Sequence, residues 1–211
     1  MLKVLIADDH TLIREGLKKI LQTAEEISVV LEAQNAREVI EQAKKQDHLD
    51  IVILDISLPD KSGLELLKDL KQYYPKLPVL ILSMHPEHRF AVRALKAGAS
   101  GYVTKETAVT ELIEAVRKAV QGRKYVSPAL AERMALDLEA DTGKPLHESL
   151  SDREHQVLCL IASGKTVKQI AAALFISIST VNTYRARILE KMRMKTDAEL
   201  IRYAVEKQLI D

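Results

Sequence analysis

Lys3-Val-Leu-Ile-Ala-Asp-Asp-His10 carries a short apolar run that ends in two carboxylates, and Ile51-Val-Ile-Leu-Asp55 repeats the design with one. An apolar run of this length, bounded by polar residues, reads as a buried strand. Working outward, five such strands are expected: Lys3 to Ala7, Val29 to Ala33, Ile51 to Leu54, Val79 to Leu82 and Gly101 to Val103. Helical periodicity fills each gap. Between Thr11 and Thr23, for example, Leu12, Ile13, Gly16, Leu17, Ile20 and Leu21 recur at spacings of three and four, which predicts a helix with that face buried. Five βα units in series need crossover connections, so the fold class expected is α/β, a doubly wound five-stranded parallel sheet with helices on both faces.

In such sheets ligands bind beyond the carboxyl ends of the strands. The residues standing there are Asp8 and Asp9 after the first strand, Asp55 after the third, Ser83 after the fourth and Lys105 after the fifth. Three carboxylates brought within a few ångströms repel one another unless a cation neutralises them. Oxygen ligands without Cys or His at the strand ends suit Mg²⁺, while Lys105 and Ser83 offer a cradle for an oxyanion. A carboxylate beside Mg²⁺ and a lysine is the arrangement needed to attack a phosphoryl group and hold the resulting acyl phosphate. Taken singly, a strand-end aspartate is more often a helix cap, and a lysine more often a solvated charge.

After the fifth helix, Ala108 to Gln121, the pattern changes. Ser127-Pro128 starts another helix that fades near Asp141, and Asp141-Thr-Gly-Lys-Pro145 reads as an exposed linker. Beyond it Ser151-Asp-Arg-Glu154 is a capping box for a helix that Gly164 stops. A short helix, Val167 to Leu174, precedes one capped by Ser177 or Ser179 that runs to Arg193, and Thr196 or Asp197 opens a last helix to Lys207. The domains expected are residues 1–121, a linker with one helix at 122–146, and a small all-α domain of four helices at 147–211.

The middle pair forms a helix-turn-helix. Val181, Tyr184, Ile188 and Met192 line one face of its second helix, leaving Ser179, Thr180, Asn182, Thr183, Arg185, Ala186 and Arg187, with Lys191 further along, as candidates to meet DNA. Charge distribution favours this over a solvated face of a packed bundle. The 211-residue chain has a net charge of only +1, but Gly164 to Lys195 holds seven basic residues and one acidic, a net of +6.

A composition of 47% hydrophobic and 29% charged residues excludes fibrous and disordered classes, and no apolar run reaches the roughly 18 residues that span a bilayer. The single cysteine, Cys159, lies in the apolar run Val157 to Ala162 and reads as a buried small hydrophobe; a cytoplasmic protein without membrane contact is expected.

Ile-Ala-Asp-Asp-His at 6–10, Leu-Asp-Ile-Ser-Leu-Pro-Asp-Lys-Ser-Gly at 54–63, Leu-Ser-Met at 82–84 and Gly-Tyr-Val-Thr-Lys at 101–105 closely resemble the receiver domain of two-component response regulators. Leu150 to Glu154, Ile170 to Leu174, Ser179 to Val181 and Ile188 to Met192 resemble the LuxR-type helix-turn-helix, so nearly the whole chain is similar to a NarL/FixJ-type response regulator. The resemblance implies a flavodoxin-like receiver with Asp55 as phosphoacceptor. It further implies Mg²⁺ bound by Asp9, Asp55 and the backbone carbonyl of Ser57, with Asp8 acting through water. Ser83 and Tyr102 would form the switch, Tyr102 following the Ser83 hydroxyl as it is drawn toward the phosphoryl group. The partners implied are a histidine kinase, promoter DNA and, for the phosphorylated form, a second copy of the chain, with RNA polymerase a further possibility. Asp60 stands where such domains often carry Gly, Glu106 where many carry Pro, and Met84 is bulky beside the site; Asn182 and Tyr184 replace a frequent Lys and His. Asn182 suits adenine, and Arg185 and Arg187 suit guanine or phosphate. Two alternatives are a phosphohydrolase with Asp55 or Asp8 as nucleophile, which would need a specificity cap that these short loops lack, and a helical domain for protein or RNA.

Overall fold

The computed structural model describes residues 1–46, 48–139 and 145–210. They form two compact units, Met1–Met134 and Ala135–Asp211. Most of the linker read from the sequence, residues 141–144, lies outside the described residues.

The first unit alternates β1 (Leu2–Ala7), α1 (Thr11–Leu21), β2 (Ile27–Ala33), α2 (Ala36–Lys45), β3 (Ile51–Asp55), α3 (Gly63–Tyr73), β4 (Val79–Ser83), α4 (Glu87–Lys96), β5 (Gly101–Thr104) and α5 (Ala108–Val120), and the boundary between the units falls within the next helix, α6 (Pro128–Glu139). The strands are all parallel in the order β2-β1-β3-β4-β5. The order reverses between β1 and β3, so the crevice that binds ligands in such sheets opens at the carboxyl ends of these two strands. Every residue of β3 and β4 is buried, which is why these strands read as unbroken apolar runs and not as alternating ones. Val4, Ile6, Ile51, Ile53, Leu80, Leu82 and Val103 pack with Leu17 and Leu21 of α1 and Leu112, Ala115 and Val116 of α5. Leu5, Val52, Leu54 and Ile81, equally buried, alternate to the opposite face.

Helix α1 corrects the sequence reading. Leu12 is 84% exposed and Gly16 is exposed, so the buried stripe is Arg14, Leu17 and Leu21. The helix is turned so that an arginine enters the stripe, where the buried Asp8 carbonyl and the half-buried Glu32 carboxylate accept from its guanidinium.

The second unit holds a 3₁₀ turn (Leu146–Ser149), absent from the sequence reading, then α7 (Asp152–Ala162), α8 (Val167–Ala173), α9 (Ile178–Lys191) and α10 (Asp197–Glu206). Side chains cap each helix: Ser151 and Glu154 close a box on α7, Thr166 and Gln169 a second box on α8, and Ser177 and Thr196 cap α9 and α10. Gly164 has φ +75° and ends α7 as expected. Val157, Leu158, Ile170, Val181, Ile188, Met192, Leu200 and Ala204 form the core, against which Tyr184 is partly buried. Cys159 is buried, is joined in no disulfide, and has its Sγ 3.8 Å from His155 Nδ1.

Candidate functional site

The register pairs Ala7 with Leu54, which brings the residues that follow them, Asp8 and Asp55, side by side as the strands end. Both are buried, at 0% and 2% exposure. Lys105 reaches them from the end of β5. Its Nζ donates a 2.7 Å hydrogen bond to Asp55 Oδ2 and lies 2.6 Å from Asp8 Oδ2 in an ion pair without hydrogen-bond geometry. The Asp9 carboxylate is nearby, and one ligand atom each from Asp8, Asp9, His10 and Asp55 can be chosen so that all lie within 4.8 Å of one another.

His10 is the member that the sequence reading passed over. It was legible beside Asp9, and its Nδ1 stands 2.7 Å from Asp9 Oδ1 and 3.3 Å from Asp8 Oδ1. The carboxylate-rich donor set fits a hard divalent cation, and the buried Asp8 Oδ2 and Asp9 Oδ1 accept no well-formed hydrogen bond.

The charges are unequal to their surroundings. Burial foremost, and then the Asp8 carboxylate, push the Asp55 carboxyl above its ordinary value, and the opposing pull of Lys105 does not cancel them. For Lys105 burial works against the ammonium, yet Asp55 and Asp8 outweigh it and hold the amine above its ordinary value. One ammonium therefore serves two buried carboxylates with a third beside them, a deficit of positive charge that a bound cation would fill.

The loop after β3 is built tightly beneath Asp55. The Ser57 N–H donates to Asp55 Oδ1 at 3.2 Å, and Gly63 N–H donates to the Ile56 carbonyl at 2.8 Å. A side chain at Gly63 would collide with the Asp55 carbonyl oxygen, so only glycine lets the loop return so closely. Asp60, which replaces a commonly small residue, caps a different helix. Its Oδ1 accepts the Ala36 N–H at 2.8 Å and its Oδ2 the Arg37 N–H at 3.1 Å, tying the Ser57 loop to the start of α2.

Ser83 and Tyr102 are both fully buried. Ser83 Oγ accepts the His85 N–H at 3.1 Å, and the Tyr102 hydroxyl donates to the His85 carbonyl at 2.8 Å. The Tyr102 ring therefore lies inside. Met84 is 63% exposed and Glu106 is exposed.

In the second unit α8 and α9 are joined by Leu174 to Ser177, with Phe175 at φ +52° making the turn. On α9, Ser179, Asn182, Thr183, Ala186 and Arg187 are exposed at helical spacing and share one face. Among the described residues Asn182 and Arg187 have no intramolecular polar partner. Thr183 Oγ1 donates to the Ser179 carbonyl, and Thr180 is half-buried against the Ser177 hydroxyl at 2.8 Å.

Two expected contacts are engaged elsewhere. Arg185 Nε is 2.7 and 2.9 Å from the two carboxylate oxygens of Asp197 at the start of α10, because nearly two turns of helix and a short connection place them opposite. Lys191 Nζ is 2.6 Å from the buried Glu154. Burial opposes that carboxylate, but Lys191 and the Ser151 N–H outweigh it and lower its pKa. Neither Asp197 nor Glu154 could be found by reading α9 alone.

The chain matches two families. Residues 4–117 match the response regulator receiver domain and residues 148–204 the bacterial regulatory proteins of the luxR family. It is similar to the response regulator GacA of Pseudomonas aeruginosa, 35% identical over 100% of this chain and 99% of that protein. It is also similar to the response regulator UvrY of Escherichia coli, 32% identical over 97% and 94% of the two chains. Among solved structures, RcsB from Salmonella enterica serovar Typhimurium, bound to promoter rprA with the phosphomimetic BeF3⁻, shares 30% identity over 96% of this chain and 97% of that one, with a TM-score of 0.66. ChrA, a response regulator of a heme-sensing two-component system, shares 31% over 99% and 98%, with a TM-score of 0.53. With a parallel-sheet receiver and a helix-turn-helix joined in one polypeptide, this chain belongs to the NarL/FixJ-type response regulators, which pair a receiver domain with a LuxR-type DNA-binding domain.

Proposed function

We propose that Asp55 is the phosphoacceptor, taking its phosphoryl group from a histidine kinase, and that the modified chain pairs with a second copy and regulates transcription from promoter DNA read by α9. The observation that carries this reading is the Lys105 ammonium shared between two buried carboxylates, Asp55 and Asp8, at the reversal point of the sheet. An Asp55 oxygen attacks phosphorus, the bond from phosphorus to the donor imidazole breaks, and the product is an acyl phosphate. Mg²⁺ bound by Asp9, Asp55 and the Ser57 carbonyl, with Asp8 acting through water, would offset the charge of the incoming phosphoryl oxygens. Lys105 exchanges its hydrogen bond on Asp55 for one to a phosphoryl oxygen, while the hydroxyl of Ser83 at the end of β4, now acceptor to His85, can turn to donate to another. The loop tied down by Gly63 and Asp60 holds the Ser57 carbonyl in place.

The chain in this reading is a regulator and not a turning-over enzyme, since the loops beyond the strands pass directly into helices and form no cap over a substrate. It works in the cytoplasm, where kinase, promoter and RNA polymerase are within reach; no helix among the described residues is long and apolar enough to cross a membrane. On DNA, Asn182, Thr183 and Arg187 meet base edges, with Ser179, Thr180 and Ala186 at the groove wall, and a dimer reads half-sites about one helical turn apart. Sedimentation and genomic footprinting of the full chain with Mg²⁺, with and without BeF3⁻, test the coupling. A heavier species and stronger footprints with BeF3⁻ are expected, and identical mass and footprints in both conditions would contradict it.

A further inference from the structure

The arginine in the buried stripe of α1 has three partners on three segments. Arg14 is 3% exposed, and burying a guanidinium is costly unless its donors are met. Its Nη1 donates to the backbone carbonyl of Asp8 at 2.7 Å, its Nε to Glu32 Oε2 at 3.0 Å and its Nη2 to Thr11 Oγ1 at 3.3 Å. Glu32 lies on the edge strand β2 and is held there a second time by Lys18, at 2.7 Å. The Asp8 N–H donates to Ala33, the residue after Glu32, at 3.1 Å.

The peptide groups on both sides of Asp8 are thus fastened to β2, one directly and one through Arg14. Both attachments are to the backbone, and the guanidinium makes no hydrogen bond to the Asp8 or Asp9 carboxylate. These adjacent carboxylates repel, and a turn free to relax would let them splay.

We propose that Arg14 is a positioning residue for the cation site: by clamping the Asp8 carbonyl to Glu32 it holds the Asp8-Asp9 turn so that both carboxylates face one ion. The inference rests on the reading that Asp8, Asp9 and Asp55 bind a divalent cation. Its opposite is purely electrostatic. A guanidinium near the site repels an incoming cation, so if charge alone mattered, Arg14→Gln would tighten binding and Arg14→Lys would leave it unchanged. Positioning requires that both substitutions weaken it, because an amide loses the ionic clamp and an ammonium lacks the planar fork that spans carbonyl and carboxylate.

Mn²⁺, followed by electron paramagnetic resonance on the full chain, is the probe. Wild type should bind it, and Arg14→Gln and Arg14→Lys should each bind on the order of 10-fold more weakly, the effect typical of losing an outer-shell partner. Leu21→Ala, a core change on the same helix remote from the turn, controls for lost stability and should bind within about twofold of wild type at a temperature where all are folded. If Arg14→Gln does not fold, Arg14→Lys carries the test alone. Unchanged or tighter binding by the Arg14 variants overturns the proposal, as does an equal loss in Leu21→Ala. A wild type that binds no Mn²⁺ instead overturns the cation reading, and this inference falls with it.

Discussion

At the carboxyl ends of β1 and β3 two carboxylates and an ammonium are buried together, whereas on α9 Asn182 and Arg187 stand in solvent without polar partners among the described residues. The first region is assembled by the sheet before any ligand arrives, and its charges interact strongly because water is excluded. The second leaves its side chains exposed to solvent, where water and salt screen what they do. Substitutions at the acidic rim should therefore act strongly and depend on cation and pH, while those on α9 should act modestly and depend on sequence.

The largest expected effect is at the rim. Asp9→Ala removes a carboxylate that would touch the cation, so calorimetric titration with Mg²⁺ should show a loss at least as large as the roughly 10- to 100-fold typical of outer-shell partners. A loss smaller than twofold would place Asp9 outside the ligand set. On α9, Asn182→Ala should cost about 1–3 kcal/mol at particular base pairs and relax specificity there. Titration against a panel of site variants checks this, and equal losses on every sequence would make Asn182 a backbone contact.

Asp55→Asn sharpens the comparison through stability. Burial, with Asp8, raises the Asp55 pKa above its ordinary 3.8 despite Lys105. A carboxyl with a raised folded pKa contributes stability in full below its unfolded value and loses it as pH rises toward the folded one. In metal-free buffer the Asn variant should accordingly be the more heat-stable protein at pH 7, the advantage closing as pH falls toward about 4. Thermal melts across that range check the sign, and an advantage that grows on acidification would contradict it. The smallest effect is expected at Asp197→Ala. Losing a half-exposed ion pair should cost about 0.2–1 kcal/mol of stability, while releasing Arg185 should steepen the salt dependence of duplex binding by about one phosphate contact. An unchanged slope would mean that Arg185 does not reach DNA even when freed.

The fold was legible because β3 and β4 are buried on both faces, so their sequences are apolar runs that end where Asp55 and Ser83 begin. The caps were legible where both partners lie within one turn, as in Ser151 and Glu154. What escaped was of a different kind. Arg14 breaks the apolar period of α1, and the periodicity that correctly places Leu17 and Leu21 also takes in the exposed Leu12 and Gly16, because it cannot register a charge whose partners come from β2 and the β1–α1 turn. Asp60 meets the start of α2 some 23 and 24 residues away in sequence, and Arg185 meets Asp197 across a helix junction; both contacts exist only once the chain has folded.

The central claim is that Asp55 carries the phosphoryl group, and the direct measurement is intact mass of the full chain after incubation with a small phosphodonor and Mg²⁺. Wild type should gain one acid-labile phosphoryl group, should gain none without Mg²⁺, and Asp55→Asn should gain none in either condition, because an amide is neither a nucleophile nor an anionic ligand. A full equivalent taken up by Asp55→Asn would contradict the account.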